Sequence, residues 1–303
     1  MILEFPFEAD LIRNIQVLLR QYPFLLTFFS SVTLLGEGAV TTLIISFFYF
    51  GRDKKNGQQL GMSMLAVNVF NAMLKCRIRR LRPYMSHDDI SCLRPPVSRS
   101  EDIYDLARQG YSCPSGHAAT SAALATDSWL KSNNKLLSII LSILSILISI
   151  SRFALGVHYP SDVLLGTIIA ILICVLCAGL KDKVSFRSQL LILGLCGLPG
   201  LFFADIDEYF MTYGLLLGMS AAFLFEEKYI GFKAADDFLH TLLRVGGCGV
   251  VFLLVLEGIK YACGGLFLNA GTLMANLFCL FRYGLAAFAA YGLYPYLFRF
   301  EKK

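Results

Sequence analysis

The sequence has 303 residues, of which 56% are hydrophobic and 16% are charged, and its mean hydropathy is +0.62. These values exclude an ordinary soluble globular protein and predict a protein of the lipid bilayer. The 27 Lys and Arg exceed the 22 Asp and Glu by only five, which is too small an excess for a nucleic-acid-binding surface. Most of the nine Cys lie in or beside apolar stretches, which argues against a disulfide-stapled secreted fold.

The N-terminal segment predicts an amphipathic helix on the membrane surface. Between Glu8 and Arg20, the apolar Leu, Ile and Val side chains gather on one side, and a polar set takes the other. That polar set is Asp10, Arg13, Asn14 and Gln16. The pattern is typical of an interfacial helix, so we assign residues 1–22 to such a helix.

The rest of the chain predicts an all-α, polytopic membrane bundle. A helix needs about 20 mostly apolar residues to cross the hydrocarbon core. About nine segments meet this condition, near 23–50, 57–76, 114–131, 134–152, 161–180, 188–205, 208–226, 236–262 and 270–298.

The distribution of basic residues predicts the orientation in the membrane, because short loops rich in Lys and Arg stay in the cytoplasm. Such residues lie in alternate loops and at the C-terminus, near 52–55, 131–135, 181–187, 228–233 and 299–303. The C-terminus is therefore predicted to be cytoplasmic, and the 77–113 loop extracytoplasmic. That loop nevertheless carries seven Arg, which violates the charge rule and indicates an anion-binding role.

The first of three polar segments reads KCRIRRLRP and runs from Lys75 to Pro83. If the second span continues as helix to the proline, Lys75, Arg79 and Arg82 share a stripe about 60° wide and face one point. Pro83 then ends the helix. The alternative is a snorkelling basic cap at the membrane interface.

The second segment, SCPSGH, precedes an apolar helix. Pro114 suits a first helical turn, so the N–H groups of Ser115, Gly116 and His117 would form an anion-binding helix start. His117 would stand there ready to donate a proton. The alternative is an ordinary capped helix with an interfacial His.

The third segment, SRFALGVHYPSD, lies between the fourth and fifth predicted spans. Asp162, in the first turn after Pro160, is close enough in sequence to accept the N–H of His158, which would make the other ring nitrogen a better nucleophile. Arg152 adds a guanidinium that can grip phosphate oxygens. The alternative is a structural ion pair between Arg152 and Asp162.

The three segments fall on the same predicted membrane face and supply several cations, a helix start and two of the four His. This combination fits phosphoryl transfer, in which the protein mainly supplies positioning and charge.

The patterns K-x6-R-P, P-S-G-H and S-R-x5-H-x3-D together resemble the tripartite signature of the type 2 phosphatidic acid phosphatase (PAP2) superfamily, with every position matched. That superfamily includes lipid phosphate phosphatases, undecaprenyl pyrophosphate phosphatases, glucose-6-phosphatase and vanadium haloperoxidases. The resemblance covers roughly 57–180. It implies a PAP2-like catalytic core over 23–182 and leaves accessory transmembrane helices over 183–303.

By this resemblance, His158 would be the nucleophile that forms a phosphohistidine, Asp162 would orient it, and His117 would protonate the leaving alkoxide. The phosphate would be held by Lys75, Arg82, Arg152, Ser115 and Gly116. No metal or other cofactor is implied, and members of the family place this core on the extracytoplasmic or lumenal side.

Glu37 is a carboxylate in the middle of the first predicted span. An ionisable group at this depth usually faces a cavity. Glu37 would therefore contact the head group of the substrate or pair with a cation of the site. The alternative is a structural Glu that is protonated or hydrogen-bonded.

A membrane-embedded site favours a lipid phosphomonoester or pyrophosphate as the substrate. The expected partners are this substrate and the surrounding membrane lipids, and no nucleic acid is expected. Two alternatives stay open: a glucose-6-phosphatase-like enzyme for a soluble sugar phosphate, and a silent phospholipid-binding transporter or scaffold. A disulfide between Cys92 and Cys113, which share one loop, stays open, as does a homodimer through the last four helices.

Overall fold

In the computed structural model, the described residues are 5–95, 102–131, 134–181, 183–267 and 272–299, so that Arg99 lies outside them. Their regular structure is entirely helical, which confirms the all-α prediction. The first six helices are α1 (Pro6–Gln21), α2 (Pro23–Leu34), α3 (Gly38–Phe47), α4 (Lys54–Ile78), α5 (Pro83–Ser86) and α6 (Leu106–Gln109). The others are α7 (Gly116–Lys131), α8 (Lys135–Ala154), α9 (Pro160–Lys181), α10 (Phe186–Gly197), α11 (Asp207–Tyr229), α12 (Phe238–Phe267) and α13 (Thr272–Phe288).

Five helical stretches among the described residues are long and apolar enough to cross a membrane, or six if the bent pair α1 and α2 forms one span. The five are α8, α9, α11, α12 and α13 with its continuation to Phe298. All nine predicted segments are helical, but nine spans are not confirmed. The first segment is broken between α2 and α3, α4 is rich in polar side chains, and α7 and α10 have only 16 and 12 residues.

The chain forms two compact units, and one of the switches between them, at 180/181, lies close to the predicted boundary at 182. Unit 1 contains residues 1–41, 70–180 and 203–206, and unit 2 contains residues 42–69, 181–202 and 207–303. All three signature segments belong to unit 1.

Helix α1 has a protein-facing side that its amphipathic pattern did not predict. Ala9 and Ile12 pack in a buried cluster with residues of the loops that follow α4 and α8, among them Ile90 and Val157. Gln16, expected on the polar side, is buried and bonds both backbone groups of Ser91, at 2.7 and 3.0 Å. This helix is therefore a structural part of unit 1.

A second side of α1 is apolar and exposed. It carries Phe7, Leu11 and Leu18, which are between 40% and 62% exposed. These residues form a stripe separate from the buried side, which agrees with an interfacial position for the helix.

Unit 2 is built on close contact between α11 and α13. A Cβ atom at Gly214 or Gly218 would collide with the backbone of Leu280 or Gly284. Small residues allow this approach, which is a usual means of packing helices in membranes. An aromatic cluster around Tyr49 completes the unit.

Candidate active site

The first signature segment does not continue as helix to Pro83. Helix α4 ends at Ile78, and Arg79 takes a left-handed conformation with φ of 53°. The Arg79 side chain turns outward and donates to Asp205 at 2.8 Å, where both side chains are exposed. The expected stripe was therefore wrong for Arg79, because it assumed an unbroken helix.

The same break turns Arg80 inward, a residue that the sequence reasoning did not select. Its guanidinium is 3% exposed and donates to Asp162 Oδ1 at 2.8 Å and to Glu8 Oε2 at 2.7 Å. It also stacks over the Tyr159 ring, 3.7 Å from the centroid. Helical spacing placed Arg80 on another face from Lys75, so it gave no signal for this role.

Lys75 and Arg82 are both buried, as expected of phosphate ligands. Arg82 donates to the backbone carbonyls of Gln109, Gly110 and Val157, at 2.5, 3.2 and 3.1 Å. Since Val157 precedes the predicted nucleophile, Arg82 ties the first segment to the third.

The second segment forms the start of α7 as predicted, but one of its N–H groups is bonded within the protein. The Ser115 N–H donates to the Asp162 carbonyl at 3.0 Å, so its expected role as a free anion donor was wrong. Gly166 of α9 permits this contact, because a Cβ there would lie 2.6 Å from the Ser115 carbonyl oxygen. The Ser115 hydroxyl oxygen is buried and has no hydrogen-bond partner. Gly116 is the first residue of the helix.

His117, in the first turn of α7, pairs with Glu37. Its Nε2 atom lies 3.3 Å from Glu37 Oε1. Gly36 brings the two together, since a Cβ there would lie 2.9 Å from His117 Cδ2. Of the readings left open for Glu37, the structure favours a carboxylate that pairs within the site.

The geometry around His158 fixes its tautomer. Nδ1 lies 2.7 Å from the carbonyl oxygen of Ser112, which can only accept, so Nδ1 carries the proton. Nε2 then carries the lone pair and lies 3.4 Å from Arg82 Nη1. The imidazole is 2% exposed, and the cation beside Nε2, Arg82, is also buried.

The expected hydrogen bond from His158 to Asp162 is absent, because Nδ1 is 3.8 Å from Asp162 Oδ2. Asp162 instead accepts from the Ser112 hydroxyl at 2.5 Å and from the Tyr159 N–H at 2.8 Å. The backbone carbonyl of Ser112 takes the place nearest the imidazole. The sequence could not show this, since it depends on a loop 46 residues away.

Arg152 is 4% exposed and donates to the Thr33 hydroxyl, while its Nε atom is buried without a partner. The alternative of an ion pair between Arg152 and Asp162 was wrong, because Asp162 pairs with Arg80.

The electrostatics of His158 show that the cations converge. Burial holds the pKa of His158 well below 6.5, and the nearby charges of Arg82, Arg152 and Lys75 lower the same pKa further. His117 acts in the same direction. The three signature segments therefore meet at one place.

Arg94 is a further cation that the sequence reasoning did not assign to the site. It lies near Arg152 and Glu37 and donates to Gln109 Oε1 at 2.7 Å. Its neighbour Cys92 and the more distant Cys113, whose pairing the sequence left open, are free thiols.

A buried imidazole with a directed lone pair, a second His and several nearby cations are typical of a phosphoryl-transfer site. Two family descriptions match the chain. "PAP2 superfamily" matches residues 57–185, and "PAP2 superfamily phosphatase, transmembrane extension" matches residues 210–302. The chain belongs to the PAP2 superfamily. It is a multi-pass membrane phosphatase of that type.

The chain is also similar to individual characterised proteins. Phosphatidylglycerophosphatase B of Bacillus subtilis (strain 168) is 27% identical over 194 residues, which cover 59% of this chain and 87% of that protein. The crystal structure of Aquifex aeolicus LpxE has a TM-score of 0.49 at 27% identity, covering 58% of this chain and 98% of that chain. The first transmembrane PAP2 type phosphatidylglycerolphosphate phosphatase from Bacillus subtilis has a TM-score of 0.45 at 25% identity, covering 59% and 86%.

Proposed function

We propose that this protein hydrolyses the phosphomonoester or pyrophosphate of a membrane lipid through a phosphohistidine at His158, without a metal ion. The observation that carries the proposal is the tautomer of His158. Its Nδ1 proton is directed to the Ser112 carbonyl at 2.7 Å, which leaves Nε2 with a lone pair among Lys75, Arg82 and Arg152.

Two buried polar atoms support the position of the phosphate. Ser115 Oγ and Arg152 Nε are buried and have no hydrogen-bond partner in the described structure. A buried polar group without a partner costs free energy unless a ligand or water satisfies it. Phosphate oxygens would satisfy both, and a guanidinium can bind two of them at once.

The proposed reaction has two steps. His158 Nε2 forms a bond to phosphorus as the P–O bond to the alcohol breaks, and His117 gives its proton to the departing oxygen. Water then attacks the phosphohistidine and gives a proton to His117, which releases inorganic phosphate and restores both side chains. The cations stabilise the charge that develops on the phosphoryl oxygens.

The hydrogen bond between Glu37 and His117 fits this acid–base cycle. At 3.3 Å from Nε2, the carboxylate favours the protonated imidazole that the first step needs, and it opposes burial and the Arg152 charge, which lower the pKa of His117 to about 4. In the proposed mechanism, Glu37 would therefore act through His117, on the side of the leaving group.

The substrate proposed is a lipid phosphomonoester such as phosphatidylglycerol phosphate. The support is the similarity to phosphatidylglycerophosphatase B, which covers 87% of that protein. The apolar exposed surfaces of α8 and α9, next to the site loop, would let a lipid approach from the bilayer.

The active site is proposed to lie on the extracytoplasmic face, with the C-terminus in the cytoplasm. The support is the distribution of Lys and Arg among the short loops. The seven Arg of the 77–113 loop oppose that rule. Part of this excess of basic residues is explained by Arg80, Arg82 and Arg94, whose side chains belong to the proposed site.

The test is release of inorganic phosphate by detergent-purified protein, measured with EDTA present. The panel contains phosphatidylglycerol phosphate, phosphatidate, a polyprenyl pyrophosphate and glucose 6-phosphate. We expect turnover of a lipid substrate that EDTA leaves unchanged, and a fall of at least about 1,000-fold for His158→Ala.

The matched control is His240→Ala, which removes an exposed His of unit 2 that pairs with Asp237 at 2.6 Å. It should retain wild-type turnover. Preferential hydrolysis of glucose 6-phosphate would contradict the lipid assignment, loss of turnover in EDTA would contradict metal independence, and an active His158→Ala variant would contradict the nucleophile.

A further inference from the structure

Ser112 links His158 and Asp162, which lie 3.8 Å apart and form no direct hydrogen bond with each other. Its hydroxyl donates to Asp162 Oδ2 at 2.5 Å, and its carbonyl accepts from His158 Nδ1 at 2.7 Å. Its N–H donates to the Arg80 carbonyl at 2.7 Å. All three polar groups of a fully buried residue are thus engaged, so the position of its carbonyl is determined from three directions.

Glu8 of α1 extends this arrangement beyond the signature segments. It is fully buried, its Oε2 accepts from Arg80 at 2.7 Å, and its Oε1 accepts the Ser161 N–H at 2.7 Å. Arg80 thereby divides its guanidinium between Glu8 and Asp162. A buried carboxylate on a surface helix is costly unless it is paired, so its place here requires Arg80.

We propose that Ser112 and Glu8 are positioning residues for the His158 nucleophile, a role that rests on the phosphatase function proposed above. Ser112 presents the acceptor that orients the imidazole, and Asp162 acts on the imidazole through the Ser112 hydroxyl. Glu8 holds one side of the Arg80 guanidinium. Asp162 therefore pairs with Arg80 through Oδ1 only and keeps Oδ2 for Ser112.

The sharing of Arg80 explains why Glu8 matters at a distance from the imidazole. A guanidinium can bind one carboxylate through two parallel N–H groups. Without Glu8, Arg80 would be free to bind both oxygens of Asp162 in this way. The Ser112 hydroxyl would then lose its acceptor, and the orientation of His158 would loosen.

The decisive variant is Ser112→Ala, which removes the hydroxyl and keeps the backbone carbonyl. We expect kcat to fall about 10- to 100-fold, since the lost hydrogen bond is to a charged group, while KM changes by less than about twofold. Glu8→Gln keeps the shape of the side chain and removes its charge. It should lower kcat about threefold to tenfold.

A second measurement reports on the imidazole without turnover. Orthovanadate accepts the nucleophilic nitrogen as a ligand, whereas inorganic phosphate competes through the cations alone. Ser112→Ala should weaken inhibition by vanadate about tenfold and inhibition by phosphate less than about twofold. Ser112→Cys, with a thiol of similar size, should recover part of the loss.

Matched controls separate positioning from general disturbance. Ser128→Ala removes a hydroxyl of α7 that bonds Ser138, and Asp10→Asn removes an exposed charge of α1. Both should retain wild-type kcat and vanadate inhibition.

The proposal is overturned if Ser112→Ala and Glu8→Gln keep wild-type kcat and vanadate inhibition, or if phosphate inhibition weakens as much as vanadate inhibition. If the wild-type protein releases no phosphate from any substrate, the proposed function fails. The vanadate binding of Ser112→Ala, read by thermal stabilisation against wild type and His158→Ala, then still decides the positioning role.

Discussion

Units 1 and 2 both bury charged side chains, but they satisfy them differently. In unit 2, Glu226 is fully buried, with Lys54 at 2.5 Å from Oε2 and the Phe232 N–H at 2.9 Å from Oε1. In unit 1, Lys75, Arg82 and Arg152 collect around His158, and Arg152 keeps a buried Nε without a partner.

This difference shows which buried charges in a membrane protein indicate a binding site. A buried charge whose partners are all supplied by the protein has its desolvation cost offset within the fold. Like charges gathered together with unpartnered polar atoms destabilise the fold, and such clusters are typical of sites that bind a ligand. An unpartnered atom alone does not mark the site, since Arg282 Nε of unit 2 is also buried without a partner in the described structure; the gathering of like charges around one imidazole does.

The largest effect on activity is expected for a substitution of His117 in unit 1. His117→Asn should lower kcat about 100- to 10,000-fold for a lipid phosphomonoester, because the alkoxide then leaves without a proton. A p-nitrophenyl phosphate, whose leaving group needs no proton, should lose much less. Phosphate release from the two substrates measures this, and equal losses would contradict the role of His117 as general acid.

The next effect compares a buried Arg from each unit. Arg152→Met should lower kcat/KM about 100-fold without lowering thermal stability, because it removes a phosphate donor that the cations around it oppose. Arg244→Met should do the reverse. It removes a donor to the Lys233 carbonyl at 2.7 Å and a contact with the Phe298 ring at 4.3 Å.

For Arg244→Met we expect a midpoint of thermal unfolding lowered by about 3–6 °C, with kcat/KM within about twofold of wild type. Paired measurements of turnover and unfolding check both variants. If Arg244→Met loses activity and keeps stability, the distinction between the two units is wrong.

A smaller effect concerns pH. Burial and the charges of Arg82, Arg152 and Lys75 hold the pKa of His158 below 6.5, so its lone pair stays available as the pH falls through 6.5. The acid limb of kcat/KM should therefore lie below pH 6.5. Lys75→Met removes one of these charges, so the pKa of His158 should rise and the acid limb should move to higher pH. An unchanged acid limb would show that Lys75 does not act on His158.

The smallest effect is expected at Arg79, next to Arg80 in the chain. Arg79 pairs with the exposed Asp205 at 2.8 Å, and exposed ion pairs contribute little. Arg79→Met should keep kcat/KM within about twofold of wild type in the phosphate-release assay. A large loss would place Arg79 in the site, as the helical stripe predicted.

Several features could be predicted because they depend on local sequence. Long apolar segments identify a membrane bundle, because about 20 apolar residues in a helix match the thickness of the hydrocarbon core. The residues of the three signature segments also identify the family. The number of spans could not be predicted, because α4 is polar enough to fail as a span and the first segment is broken near Glu37.

By itself, the sequence determined which chemical groups are available: the imidazoles of His158 and His117, and cations at Lys75, Arg82 and Arg152. Only the tertiary structure decided which atoms meet. A single left-handed residue after α4 sends Arg79 outward and Arg80 inward, and a distant loop brings the Ser112 carbonyl to His158. Side-chain direction beyond the end of a helix depends on backbone angles and long-range contacts, which helical spacing does not contain.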